Sequence, residues 1–312
     1  AARCYNRKVA LWSGWIWALY PAAMQYAVRW IWEMSLSTML FTAAIALAVC
    51  MRGIGEAPSE KTQQTIKQWL LFGLLWALIG LSNSTLLLFL LPCGLWVLAG
   101  AHRKAPAIRR AVASGLIFIA VVAPWMIRNY RTFHAFIPFR ANFGAELHMG
   151  NNPTSNGLPW GKTVNGVYQV RRYIELGEMR YAKQEGNAAK AWIRSHPKRF
   201  LEISLTRFYC FWSTDPHAET NHWFLVFIRN VNYCVPNILA ILGLALSLRR
   251  RKPAAGLFLW AFLLVPFTYY FIAAEARFRH PLEPLIVILS VFLCQSAQPR
   301  RGAVLARPAS LH

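Results

Sequence analysis

Carboxylates are scarce in this chain and cations are abundant. One Asp (Asp215) and eleven Glu stand against 34 Lys and Arg among 312 residues. Proton transfer at a reacting centre generally needs a carboxylate or a His, so the few acids near apolar segments are worth locating. Two stretches gather groups able to hold an anion. "EARFRHPLEP", starting at Glu275, places Arg277, Arg279 and His280 between two acids. In an extended segment residues 277 and 279 point alike, and paired guanidinium forks match the oxygens of a phosphate. The second stretch, "PWMIRNYRTFHAFIPFRANFGAELHMGNN", sets Arg128, Asn129, Arg131 and Arg140 among aromatics and ends in His148, Asn151 and Asn152. Its Gly and Asn residues suit a shaped loop that offers backbone N–H groups to an anion. Interfacial snorkelling is the plainer reading of such Arg residues. Two separate clusters on one side of the chain favour phosphate.

Other polar residues carry weaker signals. Glu33, in "VRWIWEMSL", heads an apolar segment, where it marks a site or simply complements the positive end of a helix. Asn83 in "LSNST" reads as a cap or a ligand. Glu175, Glu178, Glu185 and Glu202 lie in polar helical sequence and read as a solvated face. Glu56 and Glu60 fall in a basic connection on the other side of the chain, which leaves Glu33, Glu146, Asp215, Glu219, Glu275 and Glu283 for chemistry. The six Cys show no CxxC spacing; they read as small hydrophobes, with a Cys210–Cys234 disulfide as the alternative. No metal-ligand spacing and no cofactor motif is visible.

The elements that must position these groups are apolar runs. The chain is 56% hydrophobic, with a mean hydropathy of +0.32 and 14 Trp. Its apolar residues form blocks of about 18–20, the length that crosses a hydrocarbon core of ~30 Å, and Trp favours the headgroup level. The expected fold is therefore all-α and multi-spanning, with eight spans near 9–20, 33–51, 68–82, 84–101, 111–127, 231–248, 254–273 and 282–297. The first and third are short and would be tilted or broken. Three regions follow: five spans over 1–127, an outer segment over 128–222, and three spans with a basic tail over 223–312.

Charge orients the spans. Lys and Arg collect in alternate connections, at Arg3–Lys8, Arg52–Lys67, Arg103–Arg110, Arg249–Lys252 and Arg300–Arg307. By the positive-inside rule both ends of this chain are cytoplasmic, and 128–222 and the 275–283 knot face outward. The net charge of +22 thus sets topology and meets anionic headgroups. Without zinc-finger spacing or an Arg-rich helix, it gives no basis for nucleic-acid binding. The outer segment reads as mainly helical beyond about residue 166, from the three- and four-residue apolar spacing of 167–194. Pro197 suits a first helical turn. The helix after it sets Phe200, Leu201, Leu205 and Phe208 against Lys198, Arg199, Glu202 and Arg207, as a helix lying on a membrane would. Before both, "PTSNGLPWGKTVNG" is turn chemistry.

Five segments in order, "ALYPAAMQYAVRWIWEMSL", "IGLSNSTLLLFLLP", the 123–153 stretch, "SHPKRFLEISLTRFYCFW" and "EARFRHPLEPLIVIL", resemble the later part of bacterial integral-membrane glycosyltransferases of the GT-C fold. The family 39, or protein O-mannosyltransferase-like, branch is the nearest group. The resemblance implies an inner-membrane enzyme that moves a sugar from a polyprenyl-phosphate donor to an acceptor on the outer face. It also implies cations that hold the donor phosphate, and a catalytic acid in the first outer loop. The chain opens "AARCYNRK", without Met or signal peptide, so that acid is expected upstream of residue 1. Two other readings are an O-antigen polymerase or ligase and a multi-span transporter or flippase; the latter usually shows an internal repeat.

Overall fold

The computed structural model describes residues 1–28, 33–55, 64–157, 166–213 and 223–297. Its regular elements are all helical. In chain order they are α1 (Arg7–Ala18), α2 (Pro21–Val28), α3 (Met34–Met51), α4 (Ile66–Ser82), α5 (Leu90–Ala99), α6 (Lys104–Phe133), α7 (Phe143–Gly150), α8 (Gly166–Ser195), α9 (Pro197–Trp212), α10 (Trp223–Arg249), α11 (Ala255–Leu264), α12 (Phe267–Phe271) and α13 (Glu283–Ala297). Two 3-10 turns, Ser84–Phe89 and Ala276–Leu282, lead into α5 and α13.

Local chemistry sets the ends. The Asn6 side chain accepts from the Val9 N–H at 2.8 Å and starts α1. Thr65 and Gln68 form a reciprocal capping box on α4. Gly177 breaks α8 with φ 72 and ψ 161, a conformation glycine adopts without a Cβ clash. The two arms of α8 fold back on each other, so that Tyr181 donates to Gln169 at 2.7 Å and Arg172 pairs with Glu185 at 2.6 Å.

Packing pairs α3 with α4, α4 with α6, α10 with α13, and α7 with α8. Close approach depends on missing side chains. A Cβ on Gly73 would lie 2.2 Å from the Ser114 carbonyl oxygen, and one on Gly243 2.2 Å from that of Leu289. Phe41, Trp69, Phe72, Trp76 and Phe89 fill the centre of the α3–α4–α5 layer, all nearly or fully buried.

Hydrogen bonds separate the two ends of the bundle. At one end Tyr5 meets Ser247, Arg52 donates to the Trp96 carbonyl, Arg110 to that of Gln64, and Arg250 to Ser296. At the other, Arg140 reaches the Ser82 carbonyl and Asn83 reaches Tyr269. The first end carries the basic connections.

Each of the eight expected apolar segments contains helix. Among the described residues four stretches, Met34–Met51, Lys104–Phe133, Val226–Arg249 and Arg277–Ala297, are long and apolar enough to cross a membrane. The others are shorter. α1 stops after 12 residues, the 84–101 segment opens as a 3-10 turn, and the 254–273 segment divides into α11 and α12. Apolar surface is left uncovered: Ile108, Val112, Leu116 and Ile119 of α6 are each more than half exposed. Such a stripe on a 30-residue helix is out of place in water.

The outer segment differs in detail from the sequence expectation. α6 runs six residues past Ile127, so Arg128, Asn129 and Arg131 are helical rather than in a loop. α7 is an additional helix, and 158–165 of the turn-rich stretch lie outside the described residues. Arg207 does not share the exposed face of α9. It is fully buried, whereas Leu201, Leu205, Phe208 and Tyr209 are each more than half exposed. No disulfide joins Cys210 to Cys234.

Candidate functional site

The 275–283 knot is a 3-10 turn rather than an extended strand. At three residues per turn, positions two apart diverge by about 240°, so Arg277 and Arg279 do not form the two-pronged grip expected of an extended segment. Arg279 turns inward and is fully buried, with its guanidinium 4.6 Å from the Tyr233 ring and Nη2 3.4 Å from Glu283. His280 is buried too. Its Nδ1 lies 2.6 Å from the second Glu283 oxygen, and its ring lies against Trp17. Glu283 thus joins Arg279 and His280 into a lock between α1, α10 and α13. Arg279 Nε and Nη1 find no hydrogen-bond acceptor among the described residues.

Arg277 faces the other way. It pairs with Glu275 and lies 5.0 Å from the Phe278 ring. Phe278 stacks on Tyr269 at 4.4 Å, and the Tyr269 hydroxyl meets Thr85 at 2.8 Å and Asn83 at 3.4 Å. Asn83 also accepts from the Thr85 backbone N–H and hydroxyl, so it ends α4 and starts the next turn. Cap and link to the knot are one residue.

Two cations of the second stretch, Arg128 and Arg140, come together on one cavity. Arg140 donates to Glu33 at 3.1 Å and to the Ser82 carbonyl at 3.1 Å, tying the start of α3 to the end of α4. Arg140 and Arg128 line one cavity of about 430 Å³, together with Trp125, Asn129, Asn142 and Glu178. The Arg128 guanidinium sits 5.2 Å from the Trp125 ring and donates to Asn129, whose own amide donates to the Ile137 carbonyl at 3.0 Å. Behind the cavity wall, Asn142 donates to the Glu146 carboxylate at 2.6 Å. Burial pushes the Glu146 carboxyl above the ordinary glutamate value; the positive charge of Arg140 and the Asn142 bond oppose it, and Glu33 adds to the rise. Arg277 lies near enough to favour the ionised form as well. Glu33, Arg140, Glu146 and Arg277 are therefore one electrostatic cluster at the end of the bundle away from the basic connections.

Asn151 and Asn152 are held by structure. Asn152 donates to the His148 carbonyl and accepts from the Thr154 N–H. Asn151 donates to the Leu147 and Phe271 carbonyls and accepts from Arg207. Arg207 also donates to the carbonyls of Gly157 at 3.0 Å, Phe271 at 3.0 Å and Gly150. Burial without a carboxylate among these partners brings its guanidinium down to about 10. Glu185, expected on a solvated face, is buried between His148 and Arg172. Asp215 and Glu219 lie outside the described residues.

What sequence reading missed was the joining of Arg140 with Glu33 and Glu146. The cue was present in the mixture of Arg, Asn and Glu over 140–146, but Glu33 lies 107 residues away. In chemical terms, two guanidiniums suit a phosphate, a carboxylate on the same cavity suits hydroxyls, and a half-buried carboxyl suits proton transfer. No protein-family model, no curated protein and no solved structure matches the chain.

Proposed function

We propose that this chain belongs to a multi-span enzyme of the inner membrane that transfers a sugar from a polyprenyl-phosphate donor to an acceptor at the outer face. The observation that carries the reading is the cavity holding Arg128 and Arg140 beside Glu178, with Glu146 one hydrogen bond behind it. The five-segment resemblance to GT-C glycosyltransferases supports the same reaction. In this scheme the two guanidiniums hold the donor phosphate. Glu146, in place of the upstream acid that the resemblance implies, takes the proton from the acceptor hydroxyl through one bridging water as the hydroxyl oxygen attacks the sugar C1 from the opposite side. The C1–O bond to phosphate breaks, its electron pair leaves with the phosphate, and configuration inverts. Positioning and charge neutralisation of this kind supply much of the acceleration in group transfer.

The topology that goes with this function has eight crossings. The short helices cross as tilted or broken elements, both ends of this chain are cytoplasmic, and α7–α9 lie over the outer mouth. The exposed stripe of Leu201, Leu205, Phe208 and Tyr209 suits the headgroup boundary. Cysteines introduced at Lys104 and at Thr154 are expected to react with an impermeant thiol reagent from opposite sides of the membrane. Labelling of both from one side overturns the arrangement.

The functional test is transfer of labelled sugar from polyprenyl phosphate in proteoliposomes, with donor binding measured separately. A charge-assisted bond contributes about 1.5–3 kcal/mol. Each of Arg128→Ala and Arg140→Ala is accordingly expected to weaken donor binding about ten- to a hundred-fold. Lys at either position restores the charge but not the fork, and is expected to recover only part. A well-folded double variant that binds donor as the parent does removes phosphate from this cavity.

A further inference from the structure

A larger groove shares no residue with the Arg128–Arg140 cavity. About 1100 Å³ in volume, it runs between α1, α10 and α13, walled by Leu11, Trp12, Ile16, Leu239, Val287 and Val291. It shares Asn6 and Gln295 with a polar pocket of about 450 Å³ formed by Arg250, Lys252, Phe292 and Ser296. Lys8 stands on the groove wall at the same end. We infer that this composite site seats one anionic phospholipid of the cytoplasmic leaflet, its tails along the groove and its phosphate between Lys8, Arg250 and Lys252.

Three features select that occupant. The first is charge. No carboxylate lines either cavity, and no ion pair occupies Lys8, Arg250 or Lys252 among the described residues. The acceptor of the Arg250 guanidinium among the described residues is the neutral Ser296 hydroxyl, at 3.0 Å, and both Arg250 and Lys252 stand 6.0 Å from the Phe292 ring. The chain's own tail, "QPRRGAVLARPASLH", is cationic and does not complement such a rim. The second is length. The groove follows α1 from Asn6 to Tyr20, and the 12 residues of α1 rise about 18 Å, room for the ~15 Å reach of a lipid tail. The third is polarity along the groove. Its apolar walls meet the cations at one end only, the end that carries the basic connections, as a lipid with one charged head requires. The inference rests on the bilayer placement proposed above and is independent of sugar transfer.

The test is native mass spectrometry of the purified full chain, titrated with phosphatidylglycerol or phosphatidylcholine. Each Lys or Arg near a surface adds appreciable attraction for anionic lipid, so the triple variant K8A/R250A/K252A is expected to bind phosphatidylglycerol roughly a hundred-fold more weakly. Arg249→Ala, at the same end but off the cavity lining, controls for net charge and is expected to bind as the parent. Cys294→Trp, which fills the groove, is expected to lower lipid occupancy with the cations intact. Equal affinity of the parent for the two lipids, or a triple variant that binds like the parent, overturns the seat. So does a disulfide between two copies through Cys294 in the bilayer, which would make the groove a dimer interface. Alkaline extraction of the membranes separates the two claims. Protein released by alkali overturns the bilayer placement as well, whereas retained protein that does not discriminate overturns the lipid seat alone.

Discussion

Arg207→Ala is expected to unhinge the outer helices from the bundle. The Arg207 guanidinium supplies donors to carbonyls of Gly150, Gly157 and Phe271 and to the Asn151 side chain, so one side chain ties α9 to the 150–157 turn and to the end of α12. Each buried acceptor left without a donor costs about 1–3 kcal/mol. With several stranded at once, and a cavity in place of the side chain, the loss should reach about 3 kcal/mol or more even after water enters. Arg207→Lys is expected to fail nearly as badly, because one ammonium cannot reach acceptors spread around a planar fork. Arg207→Met keeps the length and loses every bond, and should behave like Ala. The readout is limited proteolysis within 150–157 together with thermal unfolding in detergent. Arg199→Ala provides the contrast: its pair with Glu202 at 2.9 Å is half exposed, and exposed pairs contribute about 0–1 kcal/mol. If Arg207→Ala and Arg199→Ala unfold alike, the clamp has no structural weight.

Arg207 also shows where reading from sequence stops. That 197–212 forms a helix with one apolar stripe is local information, carried by Pro197 and by the spacing of Leu201, Leu205 and Phe208. Whether Arg207 faces water depends on acceptors at 150, 151, 157, 270 and 271, which no periodicity reveals. The apolar segments were legible for the same local reason, since each run of suitable length formed helix. Their lengths were less legible. Pro266 lies between α11 and α12, and Asn83 opens a 3-10 turn ahead of α5, so runs that look continuous in composition are divided in space. The knot at 275–283 shows a different limit. Residue types gave a cluster of cations, but the grip required an extended backbone, and a 3-10 turn sent Arg279 to Glu283 and Arg277 to Glu275. Glu185 was misplaced because its partners His148 and Arg172 meet it only through the packing of α7 on α8 and the fold at Gly177.

The largest effect on activity is expected at Glu146. General acid–base catalysis contributes about 10²–10⁴-fold, so Glu146→Gln, which keeps shape and removes the proton acceptor, is expected to lower sugar transfer by at least about a hundred-fold. Its effect on stability should have the opposite sign. Burial is the main cause that raises the folded-state value above the ordinary 4.5, so ionising Glu146 costs the folded state more than the unfolded one. Between 4.5 and the raised value the folded state binds the extra proton, and stability falls as pH rises through that window. Above the window the full cost is present, and Glu146→Gln relieves it, giving an inactive protein at least as stable as the parent. Transfer runs the other way, because the carboxylate is the active form: the rate should rise with pH through a midpoint above 4.5. The charge of Glu33 contributes to the elevation, so Glu33→Gln should move that midpoint toward lower pH while leaving a measurable rate. The checks are the pH profile of transfer and thermal unfolding on the same preparations. A Glu146→Gln variant that retains transfer, or an acid limb that does not move in Glu33→Gln, assigns the proton acceptor elsewhere and leaves Glu146 as a partner that positions Asn142 and Arg140.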